Sequence, residues 1–253
     1  MCRVVQVKTK QPYELEMNKA GFDRSFSSAL VILKLVFSDR GVPKNIIDIG
    51  GGAGAWLLSA NQLGVGELTL VEGDWINKTT LNTEVFLIDN ADLENTIPKY
   101  DKKFEMCICV EVAEHLSSRR AESFVKELTG LSDKIVFSAA IPGQGGHGHL
   151  NERLKSYWIN LFAKNGFGAN NFISKIVWEN SEVEAIYRQN IMYFEKGIPS
   201  EIEGVVDVVH PEILRHVRNT ANSKNVFPFN RLINIYANSK VINLMQKVLF
   251  LKK

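Results

Sequence analysis

The sequence predicts an α/β protein with a mostly parallel, seven-stranded sheet that carries helices on both faces. Two observations support this prediction. Short apolar runs alternate along the chain with segments whose apolar residues recur at helical spacing. Most of the short runs are apolar throughout and do not alternate with polar residues, which is typical of strands buried on both faces of a parallel sheet.

The individual elements follow from the length of each run and from the glycine and proline residues around it. The expected strands are 45–49, 67–72, 85–88, 104–110, 135–138, 172–178 and 187–194. The expected helices are 12–41, 55–63, 119–130, 153–165 and 239–251. This arrangement is Rossmann-like, and ligands of such sheets bind at the carboxyl ends of strands near the point where the strand order reverses.

Length and composition indicate one main domain with a smaller appendage. The chain has 253 residues and a net charge of +2, so no general electrostatic footprint for nucleic acid is expected. We expect a main domain at 1–198, which includes N-terminal helices, and a C-terminal helical extension at 199–253. The apolar face of its last helix packs on the main domain or, alternatively, contacts a second subunit in a homodimer or a membrane surface.

Cysteine usage and hydropathy favour a cytoplasmic protein. The chain has three cysteines, and Cys107 and Cys109 share one predicted strand, where a disulfide between them has poor geometry. No apolar stretch reaches the roughly 18 residues that a membrane span requires. The first residues lack the apolar core of a signal peptide. We therefore expect reduced thiols and no transmembrane segment.

A glycine-rich loop directly follows the first strand and precedes a helix. Glycines there permit a tight turn and a close approach of the backbone to a ligand, but the pattern also fits a dinucleotide site. Asp48, two residues before the first glycine, separates these alternatives. Its carboxylate would repel a pyrophosphate but suits S-adenosylmethionine, which carries an ammonium and a sulfonium. The predicted cofactor loop comprises Asp48, Gly50, Gly51, Gly52 and Gly54.

The end of the second strand supplies the next candidate cofactor residues. Glu72 occupies the position from which a carboxylate accepts hydrogen bonds from both ribose hydroxyls. Gly73 follows it, and Trp75 is a candidate wall for the adenine. Asp74 is the alternative ribose partner.

Ionisable residues also cluster after the fourth and fifth strands. Glu111, Glu114 and His115 are three and four residues apart, so they share one face of a helical turn. A second polar cluster comprises His147, His149, Asn151 and Glu152. Because the fourth and fifth strands are neighbours in a doubly wound sheet, we expect both clusters to line one pocket.

Two kinds of chemistry fit these clusters. In the first, His115 or His149 is a general base that removes a proton from a hydroxyl group as it attacks the methyl group. In the second, Glu111, Glu114, His115 and His149 bind one divalent metal, whose charge acidifies the hydroxyl group. The candidate catalytic residues are accordingly His149, His115 and Glu111.

The ordered set of motifs over residues 45–116 resembles the class I S-adenosylmethionine-dependent methyltransferases. By this resemblance Glu111 also contacts the cofactor, and an acidic residue after the third strand hydrogen-bonds the adenine amino group. Asp92 fits that role because Leu93 can lie against the ring, and Asp89 is the alternative.

The E-x-x-E-H motif at 111–115 is similar to two subgroups, the ubiquinone-biosynthesis O-methyltransferases and the small-RNA 2′-O-methyltransferases. In the second subgroup this motif and a later histidine hold a metal, which implies His149 here and His147 as the alternative. Residues 137–158 and 187–190 resemble bacterial methyltransferases encoded among glycan and natural-product genes, and residues 200–253 resemble no family.

These observations predict an S-adenosylmethionine-dependent O-methyltransferase for a small hydroxylated acceptor such as a sugar, a nucleotide sugar or a glycan-linked group. One alternative is an RNA 2′-O-methyltransferase with an E-x-x-E-H metal site. The other is a non-catalytic scaffold that binds the cofactor. Nucleic acid is not an expected partner, because the chain has no basic tail or stripe.

Overall fold

The computed structural model describes residues 19–74, 84–202, 206–215 and 217. Residues 12–18 of the predicted first helix, Trp75, the predicted helix at 239–251 and most of the predicted C-terminal extension lie outside these residues. None of the described helices combines the length and the apolar character that crossing a membrane requires.

Seven strands form one sheet in the order β3-β2-β1-β4-β5-β7-β6. The strands are β1 (Asn45–Ile49), β2 (Glu67–Glu72), β3 (Leu87–Asn90), β4 (Met106–Val110), β5 (Lys134–Ser138), β6 (Phe167–Asn170) and β7 (Met192–Lys196). Strands β1 to β5 pair in parallel, whereas β7 is antiparallel to both β5 and β6. The strand order reverses between β1 and β4, so the carboxyl ends of these two strands form the expected ligand edge.

Helices cover both faces of the sheet, as the sequence predicts. They are α1 (Lys19–Arg40), α2 (Ala55–Gln62), α3 (Ala121–Leu131), α4 (Lys155–Lys164), α5 (Phe172–Val177) and α6 (Ala185–Asn190). One core layer joins the sheet to α3 and α4 through Phe124, Trp158 and Phe162. The opposite layer joins it to α1 and α2 through Leu33 and Leu57. Burial of these side chains is the main favourable contribution to folding.

The prediction of a strand at 172–178 is wrong, because α5 occupies Phe172–Val177. Ile173 and Val177 are fully buried there while Ile176 is exposed, which is the periodicity of a helix and not of a strand. The actual strand, β6, comes earlier and has the sequence F-G-A-N. Glycine and asparagine are uncommon in strands, so this short segment carries almost no strand signal.

Other strand boundaries also differ from the prediction, and the fourth strand begins at Met106, two residues later than predicted. The predicted strand at 187–194 merges two elements, since α6 ends at Asn190 and β7 begins at Met192. The third strand begins at Leu87, two residues later than predicted, and lies at the edge of the sheet.

We expect Gly168→Ala to lower the free energy of unfolding by about 1–3 kcal/mol, since overpacked sites lose stability on this scale. A Cβ atom at Gly168 would lie 2.7 Å from both the carbonyl carbon and the carbonyl oxygen of Pro199. Urea unfolding followed by circular dichroism measures the effect. The control is Gly130→Ala in α3, where nothing lies within 4 Å of the added atom. An equal loss in both variants would contradict the expected crowding.

Candidate active site

The glycine loop connects β1 to α2 through a tightly packed turn. Gly50, Gly52 and Gly54 have φ angles of 73°, 56° and 81°, a region that residues with a Cβ atom rarely adopt. A Cβ atom at Gly50 would lie 2.6 Å from a side-chain methyl group of Val112. The loop therefore packs directly against the turn that follows β4, and this contact joins the two halves of the predicted site.

Asp48 places a buried carboxyl group beneath the glycine loop. Its side chain is 1% exposed, and Oδ2 has no hydrogen-bond partner among the described residues. Burial, together with the nearby charge of Glu72, raises the pKa of Asp48 well above its usual range. A Cβ atom at Gly51 would lie 2.6 Å from the carboxyl carbon of Asp48, so glycine is required at position 51. A cationic ligand near Asp48 would offset the cost of burying its charge.

Glu72 ties the end of β2 to the glycine loop. Its Oε2 accepts a hydrogen bond from the Gly52 N–H at 2.8 Å, and its Oε1 accepts one from the Gly73 N–H at 2.8 Å. Burial raises the pKa of Glu72, although these two N–H groups act in the opposite direction. A carboxylate oxygen accepts more than one hydrogen bond, so both oxygens retain capacity for a ligand.

The segment after β3 approaches the same edge of the sheet, since the Ala91 N–H donates to the Glu72 carbonyl oxygen at 2.9 Å. Asp92 is exposed and accepts hydrogen bonds from the Glu94 N–H and the Asn95 side-chain amide, at 3.0 and 2.8 Å. It therefore also organises a turn. The other two residues predicted near the adenine have different surroundings. Leu93 is buried in the core, and Asp89 accepts a hydrogen bond from the Tyr100 hydroxyl at 2.6 Å.

Glu111, the first residue after β4, joins three elements. Its φ angle is 55°, and its N–H donates to Oγ and to the carbonyl oxygen of Ser138, each at 3.1 Å. Its carboxylate accepts hydrogen bonds from Gln144 Nε2 and Asn190 Nδ2, both at 3.0 Å. These roles of Gln144 and Asn190 are not among the sequence predictions, although Asn190 ends the run 187–190 that resembles bacterial methyltransferases.

Glu114 is fully buried, and its carboxyl group lies against the Glu111 carboxyl group and the backbone N–H groups of Glu114 and Ala140. In the described part of the chain none of these contacts has the geometry of a well-formed hydrogen bond. Burial and the charge of Glu111 raise the pKa of Glu114 to about 9. The backbone carbonyl of Glu114 accepts hydrogen bonds from the N–H groups of Leu150 and Asn151, at 2.7 and 2.9 Å. These hydrogen bonds bring the loop after β5 onto the turn after β4.

His115 and His149 meet as a result, with their ring centroids 4.8 Å apart in an edge-to-face arrangement. Burial, and then the neighbouring His149, lower the pKa of His115. The possible ligand atoms of Glu114, His115 and His149 all lie within 4.8 Å of one another. The structure thus gathers three of the four predicted metal ligands, while Glu111 instead binds Gln144 and Asn190.

Glu152 orients His149. The Nδ1 atom of His149 lies 2.9 Å from Glu152 Oε1, and the same carboxylate accepts hydrogen bonds from the N–H groups of Gly143 and Gly145, at 2.7 and 2.8 Å. Although burial opposes ionisation, the hydrogen bonds from His149 and the two glycines lower the pKa of Glu152. Because an ionised carboxylate only accepts, Nδ1 donates and the neutral ring keeps Nε2 as its basic nitrogen.

Comparisons with known proteins show the fold. No protein-family model matches the sequence, and no curated protein matches it. The structure of SAM-bound CalS10, an amino pentose methyltransferase from Micromonospora echinaspora, matches with a TM-score of 0.51 and 9% identity, over 70% of this chain and 95% of that chain. The plantazolicin methyltransferase BpumL, solved with a pentazolic analog and SAH, matches with a TM-score of 0.50 and 14% identity, over 71% of this chain and 87% of that chain.

Human N-acetylserotonin methyltransferase in complex with SAM matches at a TM-score of 0.48 and 16% identity, over 69% of this chain. The match covers 52% of that chain, so this protein spans about half the length of the human enzyme. The CalS10 and BpumL matches show that the chain has the Rossmann-like fold of the S-adenosylmethionine-dependent methyltransferases.

We expect Glu114→Gln to flatten the dependence of stability on pH in metal-free protein. The pKa of Glu114 is about 9 in the fold against its usual 4.5, so between these values the folded state holds a proton that the unfolded chain has released. Stability therefore falls as pH rises through this window. Glutamine has no such proton, so the melting temperature of Glu114→Gln should fall less.

Thermal unfolding between about pH 5 and pH 9, in the presence of a chelator, measures this difference. Glu122→Gln in α3 is the control, because the side chain of Glu122 is 74% exposed. A wild-type profile that Glu114→Gln leaves unchanged would refute the assignment of a buried proton to Glu114.

Proposed function

We propose that this protein is an S-adenosylmethionine-dependent O-methyltransferase that acts on a small hydroxylated acceptor, such as a sugar, a nucleotide sugar or a glycan-linked group. The observation that carries the proposal is the contact between His149 and Glu152, which leaves a basic imidazole nitrogen beside the turn after β4. Val112 in that turn packs against Gly50 of the glycine loop. A base and the proposed methyl-donor site therefore share one edge of the sheet.

The residues at the ends of β1 and β2 fit S-adenosylmethionine. Asp48 offers a buried carboxyl group to a cationic ligand, Glu72 has acceptor capacity for ribose hydroxyls, and the glycine loop admits close approach of the backbone. The CalS10 and BpumL structures, which share the fold, contain SAM and SAH. When bound, the cofactor supplies an electrophilic methyl group on a sulfonium.

The roles of the chain's own residues follow from their contacts. His149 Nε2 is the proposed acceptor of the proton of the attacking hydroxyl group, and Glu152 stabilises the imidazolium that forms. Burial keeps the pKa of His115 low, so His115 stays neutral at physiological pH and does not repel that imidazolium. Glu111 is a positioning residue in this scheme, because its carboxylate holds Gln144 and Asn190.

The choice of acceptor rests on the resemblance of residues 137–158 and 187–190 to methyltransferases of glycan and natural-product genes. The shared fold does not identify the acceptor, since CalS10 is an amino pentose methyltransferase and BpumL is a plantazolicin methyltransferase. The His149–Glu152 pair is suited to a hydroxyl acceptor, because such an acceptor must lose a proton when it is methylated.

A divalent metal is the alternative use of the same cluster. Glu114, His115 and His149 are suitable ligand types within 4.8 Å of one another. The lack of a well-formed hydrogen bond to the Glu114 carboxyl group within the described residues favours this alternative. The contact between His149 Nδ1 and Glu152 also favours it, since a metal-bound histidine usually donates its second nitrogen to a carboxylate, a backbone carbonyl or a water molecule. A metal there would acidify the acceptor hydroxyl and displace the proton from Glu114.

We expect Glu72→Ala to weaken S-adenosylmethionine binding about tenfold or more, because hydrogen bonds to a charged group are worth about 1.5–3 kcal/mol each. Isothermal titration calorimetry measures the affinity. Glu67→Ala is a matched control, since Glu67 lies on the same strand and its side chain is 66% exposed. The absence of S-adenosylmethionine binding by the wild-type protein would overturn the proposed function.

We expect His149→Gln to lower the turnover of an accepted substrate by about 10²–10⁴-fold, the usual contribution of a general base. The assay follows transfer from labelled S-adenosylmethionine to a panel of nucleotide sugars. Glu152→Gln should shift the pH profile of turnover, because it removes the charge that stabilises the imidazolium. His147→Gln is the control, since His147 lies on the same loop and is exposed.

Three results of this assay separate the alternatives. Transfer only to RNA would refute a small-molecule acceptor. Full activity of His149→Gln would remove His149 from the mechanism. Loss of wild-type turnover in EDTA, with recovery on addition of Mn²⁺ or Zn²⁺, would assign the cluster to a metal instead of a general base.

A further inference from the structure

A cavity lies beside strand β6, away from the glycine loop. Its volume is about 370 Å³, within the usual range for small-molecule sites. Its lining combines the starts of α4 and β7, the end of β6 and helix α5 with Ile202, Val206 and Val208. The residues that matter for the argument are Lys155, Ile159, Asn170, Ser174, Trp178 and Met192.

Buried residues separate this cavity from the candidate active site. Gln189 and Asn190 are both fully buried. The carbonyl oxygen of Gln189 accepts a hydrogen bond at 2.9 Å from Nζ of Lys155, a residue of the cavity lining. Asn190 Nδ2 donates to Glu111 at 3.0 Å on the active-site side. The two spaces are therefore distinct, and the proposed methyl transfer uses no residue of the cavity.

Lys155 contributes a buried cation to the wall of the cavity. Its side chain is 8% exposed, whereas the two other charged residues of the lining, Lys175 and Glu179, are exposed and opposite in sign. Burial lowers the pKa of Lys155 to about 8, and the charge of Asp207 opposes this effect. The hydrogen bond to Gln189 uses one of the three N–H donors of the ammonium group, so a bound anion can accept another.

An apolar surface with an aromatic wall surrounds this cation. Ile159 and Met192 line the cavity together with Trp178. His210 holds Trp178 in place, because the two rings are 4.7 Å apart and His210 Nε2 lies 2.9 Å from the Trp178 carbonyl oxygen. Such a surface binds a ring or an aliphatic body, while the buried ammonium selects an anionic group.

We propose that this cavity is a second small-molecule site, which takes an amphipathic anion with its anionic group on Lys155 and its apolar body against Trp178 and Ile159. The proposal does not depend on methyltransferase activity. It assigns the buried cation of α4 to ligand binding instead of to the methyl-transfer site.

Fluorescence titration of the full chain with anilinonaphthalene sulfonate tests the site. This probe has an aromatic body and one anionic group. We expect saturable binding by the wild-type protein and no saturable binding by Ile159→Trp, in which the indole fills the cavity. Ile176→Trp is the matched control, because Ile176 lies on α5, is 59% exposed and is not part of the lining.

A neutral probe separates the role of the charge. We expect Lys155→Met to weaken binding of anilinonaphthalene sulfonate about tenfold or more, because the variant loses a hydrogen bond between charged groups. N-phenylnaphthylamine lacks the sulfonate, so we expect Lys155→Met to leave its binding unchanged. An equal effect on both probes would refute selection of an anion. Unchanged sulfonate binding by Ile159→Trp would refute the site, and circular dichroism of both variants establishes that they are folded.

Discussion

Glu111 is the residue on which the geometry of the candidate site depends. Its backbone donates to the end of β5, and its carboxylate binds Gln144 after β5 and Asn190 before β7. The left-handed φ angle of 55° costs about 1–3 kcal/mol in a residue other than glycine. The hydrogen bonds from Gln144 and Asn190 hold the side chain in this conformation, although burial raises the pKa of Glu111.

The strained turn determines where the following residues point. Val112 packs on the glycine loop, Glu114 is directed into the protein, and the backbone carbonyl of Glu114 holds the loop that carries His149. The two carboxyl groups of this turn differ in environment. Glu111 accepts hydrogen bonds from two side-chain amides, whereas Glu114 lies against the Glu111 carboxyl group and accepts no well-formed hydrogen bond within the described residues. Burial beside a second acid therefore leaves Glu114 protonated at neutral pH in the absence of a metal.

Local sequence patterns are sufficient to predict the first strands of the sheet and the ionisable residues that cluster at its edge. Strands β1 and β2 lie at the predicted residues, because strands buried on both faces of a parallel sheet are rich in apolar residues. The roles of Gln144 and Asn190 were not predictable, since they lie 33 and 79 residues from Glu111 and their contacts exist only after the strands pair. The same reason explains why the sequence placed Glu111 with the metal ligands, whereas the fold directs its carboxylate to two amides.

The antiparallel direction of β7 explains how the candidate active site and the Lys155 cavity are arranged on either side of the residues that precede this strand. Because β7 runs against β5, the residues that precede it arrive at the carboxyl edge of the parallel strands. Successive residues of that segment then face different neighbours: Asn190 binds Glu111, and the carbonyl of Gln189 binds Lys155. If β7 were parallel to β5, its last residues would lie at that edge instead. The hydrogen bonds of Asn190 with Glu111 and of Gln189 with Lys155 would then not form in the same way. The reversal of β7 thus completes the candidate active site on one side and one wall of the Lys155 cavity on the other.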